Sequence, residues 1–298
     1  MNKVDVIIPS FNRAGILSKT LPSYLQDNVS RLILVDDFSS DNTRDVVLLL
    51  AKADSRIEYY RSPNKVYQTG AKNFGLKVSC SDYIYFGDDD SILKAGSISA
   101  MLAMAVEDPM SIIAARHIYL QNGESVEDGT RRCSNFARAD NLIFDKNNMK
   151  LDLSYLVTED INLPFCQACF MVSRQEAIKC RFDSWYFGTC FREETDYIIS
   201  LRKSGLSLTV CNEALQVNLP RNLCSGGTAS VSPYLRHYSE VMNEFHFFQK
   251  NGVFLKKFVN FSTNPYVRSA SHFGSKVMSV LSGNMTSLRN LFKAKRSA

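Results

Sequence analysis

Residues 83–90 read Tyr83-Ile84-Tyr85-Phe86-Gly87-Asp88-Asp89-Asp90, an apolar run that ends in three aspartates. An uninterrupted apolar run bounded by turn signals predicts a short buried strand. Gly87 is read as the residue at which the chain turns out of the sheet. Three adjacent carboxylates repel one another. Such a cluster at the carboxyl end of a core strand is explained by a cation, and hard oxygen ligands suit Mg²⁺ or Mn²⁺. A solvated acidic turn explains the triplet equally well, and the triplet alone does not choose between them.

The segments before it carry the same pattern. Val4 to Ile8 is strand-like and stops at Pro9-Ser10, Arg31 to Val35 ends at Asp36-Asp37, and Ile57 to Tyr60 is a third strand candidate. Between them, Ile16, Leu17, Leu21, Tyr24 and Leu25 recur at helical spacing, with Pro22 a disturbance. Asp41 is placed to cap a helix through Val46 to Ala53, and Gly70 to Lys77 reads as a short helix. Strands without polar alternation, separated by helices, predict a parallel sheet covered on both faces. Ligands bind beyond the carboxyl ends of such strands. The segments Pro9-Ser10-Phe11-Asn12-Arg13, Asp36-Asp37 and Asp88-Asp89-Asp90 are therefore expected along one sheet edge.

The chain has 298 residues, 45% of them hydrophobic, which suits one large domain or one domain with an extension. The net charge of +5 is mild and gives no reason to expect a nucleic-acid partner. The basic excess is concentrated late: Lys256, Lys257, Arg268, Lys276, Arg289, Lys293, Lys295 and Arg296 follow Glu244, the last acidic residue. That asymmetry favours an anionic surface near the C-terminus. Of eight cysteines, Cys166 and Cys169 form a CxxC, but no second pair completes a zinc site, and Phe165 and Phe170 predict a buried apolar segment. The first strand starts almost at once, and no apolar run approaches transmembrane length. A cytoplasmic protein with reduced thiols is expected.

Ser111 to Arg116 looks like another strand, and residues 121–152 read as loop-rich. From about Arg192 to Ser204 a helix is predicted, stopped by Gly205. Glu194, Tyr197, Ile198 and Leu201 fall on one face of it, with Glu193, Asp196, Ser200 and Lys203 on the other. This places Glu194 inward and Glu193 and Asp196 in solvent. A carboxylate on a buried stripe needs a partner or a task. A further helix is predicted from Tyr234 to Lys250, with Leu235, Tyr238, Val241, Met242, Phe245 and Phe248 on an apolar stripe. His237 and His246 are expected to be structural or exposed. Beyond Gly252, Phe254, Leu255, Phe258, Val259 and Phe261 alternate with Lys256 and Lys257. Val277, Met278, Val280, Leu281, Leu288, Leu291 and Phe292 lie among basic residues further on. Basic amphipathic segments of this kind suit an anionic membrane surface or a protein partner.

Five stretches in this order resemble the inverting glycosyltransferases of the large GT-A family 2. Val6 to Arg13 is similar to that family's opening strand and loop, and Leu34 to Thr43 to its nucleotide-base motif. Gly70-Ala71-Lys72-Asn73-Phe74-Gly75 resembles the following helix, Asp88-Asp89-Asp90 the DXD metal motif, and Phe191 to Asp196 the late acidic motif that supplies the base. The resemblance spans about residues 3–210. It implies a GT-A fold, Rossmann-like with a mostly parallel central sheet, and a helical C-terminal extension. A catalytic domain over residues 1–230 is expected, with a nucleotide-sugar half to about 110 and an acceptor half over 111–230. Residues 231–298 form the basic extension.

Carried over residue by residue, the resemblance gives Pro9, Phe11 and Arg13 the borders of the base and phosphates. Asp37 would accept a hydrogen bond from the base, with Asp36 supporting the turn. Lys72 or Asn73 would approach the nucleotide, and Asp89 would touch the ribose. Asp90, helped by Asp88, would hold Mn²⁺ or Mg²⁺ on the diphosphate. Glu194 stands at the base position, with Asp196 as runner-up. Two departures stand out: Glu replaces the more frequent Asp at the base position, and no His accompanies Ser225-Gly226-Gly227, a candidate flap with Arg221 nearby. Asn218 is a candidate to replace that His as a metal contact. The implied partners are a nucleotide-sugar donor, UDP-sugar first with dTDP- and GDP-sugars open, and a saccharide or lipid-linked acceptor in bacterial surface polysaccharide synthesis. That acceptor class makes peripheral contact with the inner membrane face useful, and oligomer formation is left open. A sugar-1-phosphate nucleotidyltransferase calls for a Gly-rich basic loop after the first strand, which Ile8 to Arg13 is not. A non-catalytic nucleotide-sugar-binding module is disfavoured by intact Asp90 and Glu194.

Overall fold

The structure, a computed structural model, describes residues 2–135, 143–146, 149–157, 163–167, 169–261, 264, 266–268, 270, 271, 273 and 274. The first strands are β1 (Val4–Ser10), β2 (Val29–Asp36), β3 (Ile57–Arg61) and β4 (Tyr83–Phe86). They lie in the order β3-β2-β1-β4, all parallel, with Ser10 opposite Asp36 and Ile7 opposite Phe86. Their polar carboxyl ends therefore fall on one edge, as the sequence pattern predicts. Between them run α1 (Leu17–Thr20), α2 (Thr43–Ala53) and α3 (Tyr67–Val78). Pro22 sits in a 3₁₀ turn, Leu21–Tyr24, that continues α1, since its missing N–H is tolerated in a first turn but not in a helix interior. Asp41 accepts from the Thr43 amide at the start of α2.

The second half inserts elements that have weaker sequence signals. β5 (Ser91–Leu93), α4 (Ser97–Glu107), β6 (Ser111–Tyr119), α5 (Val126–Arg132), the small ladder β7 (Phe144–Asp145) with β8 (Lys150–Leu151), β9 (Phe170–Ser173), α6 (Arg174–Ala177), α7 (Glu193–Lys203), β10 (Ser207–Asn218) and α8 (Pro233–Val259) follow in turn. The main sheet reads β3-β2-β1-β4-β9-β6-β10-β5, with β9 antiparallel to both β4 and β6 and β5 antiparallel to β10. The sheet is thus mostly parallel, and the antiparallel β9 is the segment that follows the CxxC. Cys166 and Cys169 are buried free thiols, in line with the apolar reading.

Alternate residues of β1 face opposite cores. Ile7 packs with Ala71 and Leu76 of α3 and with Tyr197 and Phe247 of α7 and α8. Val6 and Ile8 pack with Leu17, Val47 and Met101 of α1, α2 and α4. Each such fully buried side chain contributes about 1.5–3 kcal/mol. The strand is held in register from both faces, and that fixes where its polar end emerges.

Two sequence expectations fail at the C-terminus. The helix does not stop near Gly252; it runs on to Val259. The stripe is also rotated: Leu235 and Tyr238 are exposed, while Ser239, Asn243, Glu244, Phe247, Phe248, Asn251 and Leu255 are buried. The cause is polar docking. Lys250 and Asn251 bind the Asp196 carboxylate at 2.7 Å each, and Glu244 approaches Arg192 at 3.5 Å. His246 bonds Asp183 and stacks on Trp185, a structural placement. The basic stretch from Lys276 onward lies outside the described residues.

Candidate active site

A cleft of about 400 Å³ opens at the carboxyl ends of β1, β2 and β4. Pro9, Phe11, Arg13, Asp37, Asp88, Asp89, Asp90 and Glu194 all line it. A second cavity of about 300 Å³ adjoins it, sharing Asp88, Tyr119 and Glu194 and extending toward Met149, Phe165 and Gln167. Asp88 and Glu194 thus stand at the border of two spaces, a geometry suited to bringing two substrates together.

The aspartate run is pinned by its backbone. Tyr24 and Thr20 donate their hydroxyls to the carbonyls of Asp88 and Asp89, both at 2.9 Å. Gly87 is required for closeness and not for a left-handed turn: a Cβ there would meet the Tyr24 ring at 2.8 Å. The three carboxylates then diverge. Asp89 is buried and accepts from Arg13 Nε at 3.1 Å, and Asp90 accepts from Arg13 Nη2 at 2.8 Å. Asp88 accepts from Gln216 at 3.2 Å. Burial, followed by the charges of Glu194 and Asp90, pushes Asp88 well above the usual carboxylate range. Burial also pushes Asp89 up to about 6, against the pull of Arg13.

Among the described residues no three His, Cys, Asp or Glu side chains converge into a ready-made metal cage. One or two carboxylates suffice to hold a divalent ion where substrate phosphates complete its shell. Asp88 and Asp90 could serve in that way: both line the cleft, and a cation would offset the charge of Asp90 that, after burial and Glu194, holds the Asp88 pKa up. Asn218 also lines the cleft, with its Oδ1 taking the Ser91 hydroxyl.

Asp36 is buried beneath the β2 turn, accepting from the Ser39 amide at 2.8 Å and the Tyr59 hydroxyl at 2.5 Å. This is the turn-supporting placement expected of it. Asp37 accepts from the amides of Val66 and Tyr67 and so fixes the start of α3 at the cleft edge. Burial raises its pKa, against the pull of those amides and of Lys65. Lys65 also lies over the Phe11 ring, 3.1 Å from its centroid, and lines the cleft with Tyr67 and Gln68. The sequence reading missed this group. Its signal was available, because the loop after β3 reaches the same edge as the other parallel strand ends.

Two expected nucleotide contacts are corrected. Lys72 is fully buried; its ammonium bonds Glu193 Oε1 at 2.6 Å and Glu194 Oε1. Asn73 exchanges two hydrogen bonds with the Phe182 backbone. Neither lines the cleft. They sit on the face of α3 turned toward α7 and the segment before it.

The face assignment on α7 is also corrected. Glu193 and Asp196 are buried at 2% and 0% exposure, whereas the Glu194 side chain is 21% exposed. The helix is enclosed by α3 on one side and α8 on the other, so two-sided periodicity could not find its solvent face. Glu194 lies in the first turn of the helix and lines the cleft. Cys190 and Arg192 both hold left-handed backbone, φ 51° and 76°, and turn the chain sharply into α7. Asp196 lines neither cavity and is tied to α8.

The far wall comes from the region after β10. Ser225-Gly226-Gly227 lies directly on the β1 loop: Gly227 donates to the Phe11 carbonyl at 2.7 Å and Arg13 Nη1 to the Ser225 carbonyl at 3.0 Å. A Cβ on Gly226 would fall 1.8 Å from the Asn12 carbonyl oxygen, and its φ is +84°. Only glycine fits there. The side chain of Arg221 lies outside the described structure. Arg236 and Glu240 of α8 complete the lining, so the C-terminal helix contributes to the site itself.

Known proteins agree with this architecture. Over 110 residues the chain is 39% identical to the GalNAc(5)-diNAcBac-PP-undecaprenol beta-1,3-glucosyltransferase of Campylobacter jejuni, covering 36% of each chain. It is 26% identical over 226 residues to the poly(ribitol-phosphate) beta-N-acetylglucosaminyltransferase TarP of Staphylococcus aureus, covering 68% of each. The chain therefore spans about a third of the first relative and about two thirds of the second. The crystal structure of GalNAc-T7 with UDP, GalNAc and Mn²⁺ shares the fold with a TM-score of 0.57, at 14% identity, over 74% of this chain and 44% of that one. The family model described as glycosyl transferase family 2 matches residues 5–182, more than half of the chain, and the protein belongs to that family.

Proposed function

We propose that the protein transfers a sugar, with inversion, from a nucleotide-sugar donor to a hydroxyl of a saccharide or lipid-linked saccharide. The carrying observation is that Glu194 and the Asp88–Asp90 group line one cleft at the carboxyl ends of β1, β2 and β4. In this reading the base and ribose lie against Phe11, Asp37 and Asp89, and Arg13 and Lys65 supply positive charge. Asp88 and Asp90 would hold Mn²⁺ or Mg²⁺, which when bound would supply positive charge to offset that of the leaving diphosphate. Glu194 accepts the proton of the acceptor hydroxyl. The acceptor oxygen forms its bond to the anomeric carbon from the face opposite the nucleotide. The bond to the phosphate oxygen breaks, and its electron pair leaves with the nucleoside diphosphate. One displacement inverts the anomeric centre, whereas a retaining hydrolase works through two carboxylates at a set separation.

The acceptor class is supported by the Campylobacter relative, named for an undecaprenol-linked glycan. A UDP-sugar is the proposed donor. The catalytic unit is proposed over residues 1–230, with residues 231–298 as extension. Among the described residues no helix is long and apolar enough to cross a membrane. Peripheral contact at the cytoplasmic membrane face is proposed instead, supported by exposed Tyr234, Tyr238 and Val253 on the same helix as Lys256 and Lys257.

A thermal-shift panel of nucleotide sugars, each with Mn²⁺ and with chelator, tests the reading. A ligand at about 100 times its Kd adds about 2.7 kcal/mol. That corresponds to a rise in Tm of roughly 4 °C for a chain of this size. The expected result is such a rise for one nucleotide sugar with Mn²⁺ and a much smaller one with chelator. A flat response across UDP-, dTDP- and GDP-sugars would overturn it.

A further inference from the structure

We propose that Lys72 is a positioning residue for Glu194, anchoring its carboxylate from beneath the cleft while Glu193 serves as the balancing charge. The inference rests on Glu194 being the base and goes beyond it, because it assigns a task to a buried cation with no access to substrate.

The geometry separates the three groups by depth. The Lys72 side chain is 1% exposed and that of Glu193 2%, whereas that of Glu194 is 21% exposed and borders both cavities. The Lys72 ammonium spans the two carboxylates, with the Phe182 ring centroid 5.3 Å away. Phe182 is itself fixed, stacked on Tyr197 at 3.9 Å and held through its backbone by Asn73. Lys72 therefore presents its charge from a rigid mount. Burial alone would lower its pKa; the charges of Glu193, Glu194 and Asp88 outweigh that and hold it above the usual lysine range. Burial works against the charge of Glu193, and the Lys72 ammonium at 2.6 Å favours it.

A buried ion pair is weak evidence for stability, since an apolar pair of similar volume serves as well or better. A purely structural Lys72–Glu193 pair would also need no bond to the cleft carboxylate. That bond removes rotamer freedom from a long Glu side chain, an entropic cost that a purely structural pair has no reason to bear. Glu194 carries one more methylene than an Asp would. A longer side chain needs an anchor to hold its carboxylate at a productive distance, and about 1 Å of misplacement can cut a rate about 100-fold.

The test compares Lys72→Met, the charge-balanced double variant Lys72→Met/Glu193→Gln, and Glu194→Gln. The readouts are UDP affinity with Mn²⁺, acceptor KM and kcat. Lys72→Met alone leaves a buried carboxylate exposed to loss of folding; the double variant removes one charge of each sign and keeps the comparison usable. The expected result is a kcat about 100-fold lower in the double variant, with UDP affinity and acceptor KM within about 3-fold of wild type. A double variant with wild-type kcat would overturn the proposal and leave Lys72 as the counter-ion of Glu193. A loss confined to UDP affinity would overturn it too, placing Lys72 in donor binding. Full transfer by Glu194→Gln would instead sink the base assignment itself, so the two failures are told apart in one experiment.

Discussion

Glu194→Gln is expected to bind UDP with Mn²⁺ within about 2-fold of wild type and to lose transfer by about 1,000-fold, the middle of the range for a positioned general base. The substitution keeps the side-chain volume and a group able to bond Lys72, but it replaces a basic carboxylate by an amide that cannot take up the acceptor proton. Donor binding is spared because the contacts proposed for it come from the β1, β2 and β4 ends and not from α7. Steady-state kinetics together with calorimetric titration of UDP provide the check. Asp196→Asn is the informative comparison. Asp196 accepts from Lys250 and Asn251 across the α7–α8 contact, so its replacement should lower Tm and leave chemistry in the folded fraction. A folded, inactive Asp196→Asn beside an active Glu194→Gln would reverse the assignment.

The second large effect is expected at the aspartates. Wild-type protein should bind UDP about 100-fold more tightly with Mn²⁺ than with chelator, equivalent to about 2.7 kcal/mol. Asp90→Ala and Asp88→Ala should each remove most of that gap while leaving metal-free UDP binding nearly unchanged. The reason lies in how the triplet is divided. Arg13 keeps its bond to Asp89 when Asp90 is lost, so the basic wall of the cleft persists. Asp88 carries the repulsion of Glu194 and Asp90, which a divalent ion would relieve. A gap that survives in both variants would place the ion elsewhere.

The first strands and their shared polar edge were legible because β4 and the central residues of β1 and β2 are apolar runs that stop at polar residues. The place of Asp36 under its turn was implied by the family resemblance. What failed was periodicity on helices enclosed from several sides. Around α7, Lys72 on one flank and Lys250 on the other allow carboxylates to be buried, so a charged residue no longer marks the solvent face. The α8 stripe failed for the same reason, with Asn243, Glu244 and Asn251 buried against polar partners. β10 went unread because it breaks register between Cys211 and Leu215, where Asn212 and Glu213 interrupt the apolar run. Lys65, Arg236 and Glu240 reach the cleft from loops and a helix start that only the assembled sheet brings together.

The central claim is a single displacement assisted by one carboxylate, and the configuration of the released sugar tests it most directly. With water as acceptor, slow hydrolysis of an α-linked nucleotide sugar can be followed by proton NMR before mutarotation scrambles the anomers. The account predicts that the β-anomer appears first in wild-type protein and that its release falls in step with transfer in Glu194→Gln. First appearance of the α-anomer would contradict it, because a single displacement from the face opposite the nucleotide cannot retain configuration.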